Sequence, residues 1–223
     1  MIYAHSKKDC TPEDGWQHLD DHLQEVADKA GTSARLFESE EWARAAAWLH
    51  DFGKCAPAFQ AYLLRQNGLD DSGYDETRMR CVNHSSAGAA LAIEKFGPLA
   101  GKVLAYLVAG HHAGLPDWHS ADTGNAVLSV RLREGEQNLD RIRNRTDILD
   151  AAPDDPARPP LWVCPQNMHL WMRMLYSCLV DADFLDTEAF MNQKQAGERS
   201  HYPPLNALKE LFDNYMEEQT GKA

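Results

Sequence analysis

The chain has 223 residues, with 22 Lys and Arg against 34 Asp and Glu, for a formal charge of −12 at neutral pH. That length suits one domain with a sizeable core. The acidic balance argues against a free-standing nucleic-acid-binding protein, which normally neutralises phosphates with Lys and Arg, but it is compatible with an enzyme to which a partner delivers the strand. No run of about 18 apolar residues is present to span a membrane as a helix. The first residues, Met1 to Lys8, lack the apolar core of a secretory signal, so a cytoplasmic location without a membrane partner is expected. The five cysteines, Cys10, Cys55, Cys81, Cys164 and Cys178, are scattered and form no C-x-x-C pair. This argues against a disulfide framework and against a thiolate zinc site.

Taken in order, the chain reads as helix after helix. Residues 15–30 carry Leu19, Leu23, Val26 and Ala30 at helical spacing, with Gly31 as the expected stop. Ser39 is placed to cap the next helix, with Glu40 and Glu41 in its first turn. Trp42, Ala45, Ala46 and Leu49 make its apolar face, and Gly53 ends it. A short helix is expected over 57–66 and a polar loop over 69–80. Helical patterns resume over 85–96, 98–111 and 124–144. Five prolines between 150 and 165 mark a surface excursion. Residues 166–185 form a strongly apolar helix. Residues 205–218 form an amphipathic one, whose Leu205, Leu208, Leu211, Phe212 and Tyr215 suit core packing first and docking of a partner second. No convincing β-alternation and no internal repeat appear. The expectation is an all-α helical bundle, a single domain over 1–223, with a metal site between helices.

The sharpest chemical feature is His50-Asp51, at the end of a helix and running into Phe52-Gly53-Lys54. An imidazole and a carboxylate from one helix end suit a borderline metal, and a carboxylate can bridge two ions. Alone, the dipeptide is more often a helix-end histidine favoured by the dipole beside an exposed aspartate. Its surroundings shift the balance. The chain has ten histidines. His22 lies beside Leu19, Leu23 and Val26, with His18 one turn earlier as a competitor. His84 opens a helix of small residues, and His111-His112 closes an apolar one. Asp181 and Asp183 interrupt another apolar helix, where a carboxylate is costly to bury unless paired or metal-bound. Two apart, they face different directions and compete for one ligand role. Each inner histidine alone is more often a hydrogen-bonded core residue; their joint placement at helix ends and on apolar faces is harder to explain that way. Trp118 reads as ordinary packing, with base stacking as the alternative.

The order His22, His50-Asp51-x-Gly53-Lys54, His84, His111-His112, Asp183 resembles the HD nuclease domain of the CRISPR-associated helicase-nuclease of type I interference systems. Local phrases match as well. They are Tyr3-Ala4-His5-Ser6, His22-Leu23-x-x-Val26-Ala27, Leu49-His50-Asp51-Phe52-Gly53-Lys54, Asn83-His84-Ser85 through Ala87-Gly88, Gly110-His111-His112-Ala113-Gly114, and Leu179-Val180-Asp181-Ala182-Asp183-Phe184-Leu185. The similarity runs over about residues 3–190. It implies a two-metal nuclease acting on single-stranded DNA in antiviral interference. One ion would be held by His22, His50, Asp51 and Asp183, and the other by Asp51, His84, His111 and His112. Asp51 would bridge the two ions, and Lys54 would help hold the phosphate or stabilise transition-state charge. Manganese, nickel, cobalt or iron are the implied metals, in keeping with imidazole-rich ligation. The implied partners are a helicase and, through it, a CRISPR RNA-guided surveillance complex. His5 receives no ligand role, and His18, His119, His169 and His201 match no motif position.

One departure matters. Family proteins carry a helicase after the nuclease domain, and no G-x-x-x-x-G-K-[ST] phosphate loop occurs here. The chain is expected to be either a free-standing subunit or the N-terminal piece of a longer protein, cutting what something else delivers. Two alternatives compete. One is an HD phosphohydrolase of nucleotides or cyclic nucleotides, which the acidic surface fits better than a polymer. The other is a catalytically weak module that docks a helicase.

Overall fold

A computed structural model describes residues 1–69, 83–120, 127–145, 148, 156, 158–199 and 202–221. The loop expected over 69–80, apart from its first residue, lies outside the described residues, as do Cys81, His201 and much of the proline-rich stretch.

The chain opens with a ribbon of two short antiparallel strands, β1 (Tyr3–His5) and β2 (Gln17–His18), with α1 (Pro12–Gly15) between them. Tyr3 faces His18 and His5 faces Gln17 across the ribbon. Strands this short carry no readable period-two pattern, so the ribbon was not visible in the sequence. It also takes residues 17 and 18 out of the first long helix, α2 (Leu19–Ala34), which starts later than its periodicity suggests. The expected stop at Gly31 is not observed. The helix continues to Ala34, and the missing side chain of Gly31 makes room for Arg44, whose Cγ would lie 2.8 Å from an added Cβ.

Helix α3 (Glu40–His50) follows. Ser39 precedes it as expected but does not cap it. Its hydroxyl donates to the Phe37 carbonyl (3.1 Å) and accepts from the Trp171 indole (2.8 Å), so a long-range contact replaces the local one. A 3-10 turn (Phe52–Cys55) leads to α4 (Pro57–Gln66). Next come α5 (Ser85–Phe96), a π turn (Gly97–Gly101), α6 (Lys102–Gly110) and α7 (Leu128–Asp140). Helix α8 (Met168–Met191) runs past the expected end at 185 and is followed by α9 (Gln193–Arg199), which sequence periodicity did not suggest, and α10 (Leu205–Thr220). The all-α expectation holds; no described helix is long and apolar enough to cross a membrane.

The chain divides into two compact units, Met1–Thr187 and Glu188–Ala223. The first is built on one apolar core. Leu19, Leu23 and Val26 of α2, Trp42 and Leu49 of α3, Leu104 and Leu107 of α6, Leu128 and Leu139 of α7, and Trp171, Leu175 and Leu179 of α8 are all buried in it. Within the second unit, Arg199 pairs with Glu188, and α10 buries none of its apolar residues.

Two glycines decide how closely the helices carrying the histidines approach. A Cβ on Gly88 of α5 would lie 1.9 Å from the Leu49 carbonyl oxygen on α3. A Cβ on Gly53 would lie 2.0 Å from the His84 carbonyl oxygen. Together they bring the end of α3 against the start of α5, which sets Asp51 beside His84. Gly88→Ala is therefore expected to push two helix backbones apart, lowering stability in chemical denaturation by about 1–3 kcal/mol. Gly197→Ala, where an added Cβ meets nothing within 4 Å, should cost nothing.

Candidate metal centre

Six chain segments of the first unit deliver polar side chains to one buried point. His22 comes from the first turn of α2. His50 is the last residue of α3 and Asp51 follows it. Lys54 sits in the 3-10 turn, and His84 immediately precedes α5. His111-His112 follows α6, and Asp183 projects from α8. Local bonds fix these placements. Asn83 Oδ1 accepts the Ser86 N–H (3.2 Å), which sets the turn at His84. The Tyr176 hydroxyl donates to the Gly110 carbonyl (3.0 Å), and Arg131 donates to the Ala109 carbonyl, holding the end of α6 under the histidine pair.

Asp51, 1 % exposed, is the centre. Its Oδ2 lies 3.3 Å from His22 Nε2 and 3.4 Å from His50 Nε2. Its Oδ1 faces the other way, 3.2 Å from His84 Nε2 and 3.6 Å from His111 Nε2. Asp183 Oδ1 closes the first group at 3.5 Å from His22 Nε2 and 3.6 Å from His50 Nε2. His112 closes the second, its Nε2 2.8 Å from that of His84. Two four-residue groups, each able to hold a metal ion, thus share Asp51. Every sequence-expected site residue comes to this point, and Lys54 Nζ lies 2.6 Å from Asp51 Oδ2.

The donor atoms fit a metal better than they fit one another. His22 Nε2, His50 Nε2, His111 Nε2 and Asp51 Oδ1 are buried with no hydrogen-bond partner, an expensive arrangement for a protein alone. Their 3.2–3.6 Å separations are too long for good hydrogen bonds. They match instead the edge of a coordination polyhedron, about 3.0–3.4 Å for bonds near 2.1 Å. The opposite ring nitrogens fix which atom faces the centre. His50 Nδ1 donates to the Ala47 carbonyl, and His111 Nδ1 donates to the Val108 carbonyl (2.7 Å), each three residues back in its own helix. His22 Nδ1 donates to Asp186 Oδ2 (2.8 Å). Each ring is left presenting Nε2.

Charge organises the site further. Burial pushes the Asp51 carboxyl up, but Lys54 and His50 overcome it and hold the group well below the usual carboxylate range. Asp183 is likewise held low, burial being outweighed by His50. Burial opposes protonation of His50, yet the Asp51 and Asp183 carboxylates push it up to about 10. Burial and the neighbouring His111 hold His112 down to about 4, and burial lowers His111. Burial, Lys54 and His22 hold His5 down to about 4.

Of the histidines given no ligand role, His5 lies against this centre, its ring 4.8 Å from that of His22 and its Nε2 3.1 Å from Lys54 Nζ, whereas His18 and His119 do not join it. His18 packs against the Tyr3 ring, leaving the ligand position to His22, and His119 bonds Ser129 at the surface. Asp181 faces a surface groove with Ser33, Tyr176 and Phe184, while Asp183 faces inward. Trp118 is partly buried against the core, with the Lys102 ammonium 3.8 Å from its ring centre, which is the packing reading.

Asp186 was missed. It grips His22 Nδ1 while Asp183, one turn earlier on α8, faces Nε2 of the same ring. The D-x-x-D spacing was a readable signal, since residues three apart share a helix face. Asp186 is itself held by Gln17 (2.7 Å) and Lys29 (3.0 Å). Burial raises its pKa, but His22, Lys29 and Gln17 bring it below the ordinary value.

Imidazoles and carboxylates converging around a shared aspartate form two groups that could each hold a metal ion, the kind of centre that marks the HD class. A family model described as "Cas3, HD domain" matches residues 6–174, well over half of the chain, and the chain belongs to that family of CRISPR-associated, metal-binding HD nucleases. No curated protein matches it. Asp183 and Asp186 lie beyond the matched segment, so their place at the site rests on geometry.

Two outcomes follow. A His50 pushed up to about 10 carries a proton at neutral pH without metal, whereas a ligand ring must be neutral, so binding expels that proton. Apparent metal affinity should rise about tenfold per pH unit through the neutral range, and calorimetry in buffers of different ionisation enthalpy should register the released proton. Asp186→Asn should weaken metal binding about 10- to 100-fold, read as metal retained after dialysis, with the helical circular dichroism unchanged.

Proposed function

We propose that this chain serves as one HD-type nuclease domain that hydrolyses single-stranded DNA with two divalent transition-metal ions, drawn from manganese, nickel, cobalt or iron. One observation carries the reading: the two oxygens of Asp51 face two separate groups of imidazoles, His22 and His50 on one side and His84 and His111 on the other. A carboxylate so placed suits a bridge between two ions. Ions at such a centre supply Lewis-acid charge to the scissile phosphate and to the attacking water.

The chain's own groups do the rest. Neutral His111 and His112 offer lone pairs at physiological pH. Asp51 and Asp183 stay ionised and balance positive charge. Lys54 is 4 % exposed; its ammonium bonds to Asp51 and His5 and lies 5.6 Å from the Phe59 ring centre. Its third hydrogen is left to donate to a phosphate oxygen, where charge builds up in the transition state.

The charge of −12 bears on how substrate arrives. An acidic body repels a polyanion at long range, so we infer that the strand is fed by a helicase, as a domain or a subunit, acting with a CRISPR RNA-guided surveillance complex.

The test is cleavage of a labelled single-stranded oligonucleotide with manganese. Wild type should cut, and Asp51→Ala should fall to background while remaining helical. Lys54→Ala should lose about 10²-fold in turnover yet retain its metal. Undiminished cleavage by Asp51→Ala, or in excess chelator, would sink the assignment. Faster turnover of nucleotides or cyclic nucleotides than of oligonucleotides would move the substrate to the small-molecule class.

A further inference from the structure

The N-terminal ribbon takes no part in the chemistry above, yet it completes a hydrogen-bonded circuit around the centre. Gln60 of α4 accepts from the Tyr3 N–H (3.0 Å) and donates to the Tyr3 carbonyl (2.9 Å) and the Lys54 carbonyl (2.8 Å). One side chain therefore holds the backbone of β1 to the turn that carries Lys54. Beyond it, His5 Nε2 lies 3.1 Å from Lys54 Nζ, and His5 Nδ1 lies 2.8 Å from Gln17 Oε1 on the facing strand. Gln17 Nε2 in turn donates to Asp186 Oδ2, the carboxylate that orients His22.

The direction of every bond in this chain is forced. An ammonium can only donate, so His5 Nε2 must accept from Lys54. Nδ1 then carries the ring hydrogen and donates to Gln17 Oε1. The Gln17 amide, with its oxygen so engaged, turns its nitrogen to Asp186, which is the observed arrangement. The circuit from Lys54 through His5, Gln17 and Asp186 to His22 has one self-consistent assignment, and it leaves both ends facing Asp51.

We propose that His5 is a positioning residue for Lys54, its Nε2 lone pair holding the ammonium between Asp51 and the phosphate site so that the N-terminal ribbon completes the catalytic centre. A lysine has a long, freely rotating stem. With Asp51 as its sole partner the ammonium is fixed by one bond and can pivot about it; the second bond to His5 removes that freedom and directs the remaining hydrogen. The ring of His5 also lies edge-on to His22, 4.8 Å between centres, so it is buttressed from the side of the metal centre as well. The proposal deepens the nuclease reading and rests on it for its effect on rate, but not for the contact itself.

The experiment has two arms, both on the full chain. In metal-free protein labelled with ¹⁵N at histidine and lysine, long-range proton–nitrogen correlation should show His5 as the Nδ1–H tautomer with an accepting Nε2. It should also show a Lys54 ammonium signal slowed in exchange. His5→Phe, which keeps a ring but no acceptor, should lose the Lys54 signal, and His5→Gln, whose amide oxygen can reach the same point, should regain it. In the cleavage arm His5→Phe should lower kcat about 10- to 100-fold with metal affinity unchanged, and His5→Gln should recover most of the loss. An Nε2–H tautomer, a Lys54 signal indifferent to His5→Phe, or wild-type kcat in that variant overturns the proposal. Should wild type cut no DNA, the nuclease reading fails while the tautomer still decides the contact, without any variant having to fold.

Discussion

The centre depends on one buried negative charge. Asp51 is removed almost wholly from water, and a carboxylate in that position is costly unless positive groups or metal ions surround it. Lys54 meets one oxygen directly, and the four nearest imidazoles stand slightly too far away to hydrogen-bond well. The neighbourhood is therefore incompletely satisfied by protein atoms, and the deficit is concentrated on the nitrogens and the oxygen that a cation would bind. The Lys54 ammonium offsets part of that charge, and, although burial opposes it, the Asp51 and Asp183 carboxylates in turn push the His50 imidazole up to about 10.

The helices are arranged to make this arrangement possible. Four of the five histidines at the candidate centre sit at or next to a helix end: His50 and His111-His112 at C-termini, and His84 just before an N-terminus. Two of these rings are steadied by the carbonyl three residues back, which needs no partner from elsewhere in the fold. His22, within a helix, cannot use that device and depends on Asp186 from α8 instead. The close approach at Gly53 and Gly88 then brings the separate helix ends into one site. Packing in the alanine-rich core and geometry at the centre are thus one constraint.

The outer network extends this logic to the ribbon. Residues that look peripheral in the chain, Tyr3, His5 and Gln17, are linked by side-chain bonds to both Lys54 and Asp186. Each link has a single possible polarity, set at one end by the Lys54 ammonium and at the other by the Asp186 carboxylate. These outer bonds restrict the side chains they link, while the unsatisfied atoms are confined to the centre itself.

Much of this was legible in the residues. Helical periodicity identified the elements that form the bundle, because an apolar stripe at 3.6-residue spacing is a local property. The His50-Asp51 pair, the tandem His111-His112 and the inward places of His22 and His84 marked residues that the fold brings together, since polar groups on apolar faces must be accounted for. What lay beyond the sequence was whatever depends on contacts distant along the chain. Gly31 lies under Arg44 within a helix that runs on to Ala34, and Ser39 forgoes capping for Trp171. Asp183 rather than Asp181 turns inward because of how α8 lies on the core, and His5 meets Lys54 only because Gln60 ties their backbones together. Sequence by itself determined the family and which polar side chains lie on apolar faces, through residue type and local period. Tertiary structure decided which of those groups meet, because direction and distance between remote side chains are set by packing.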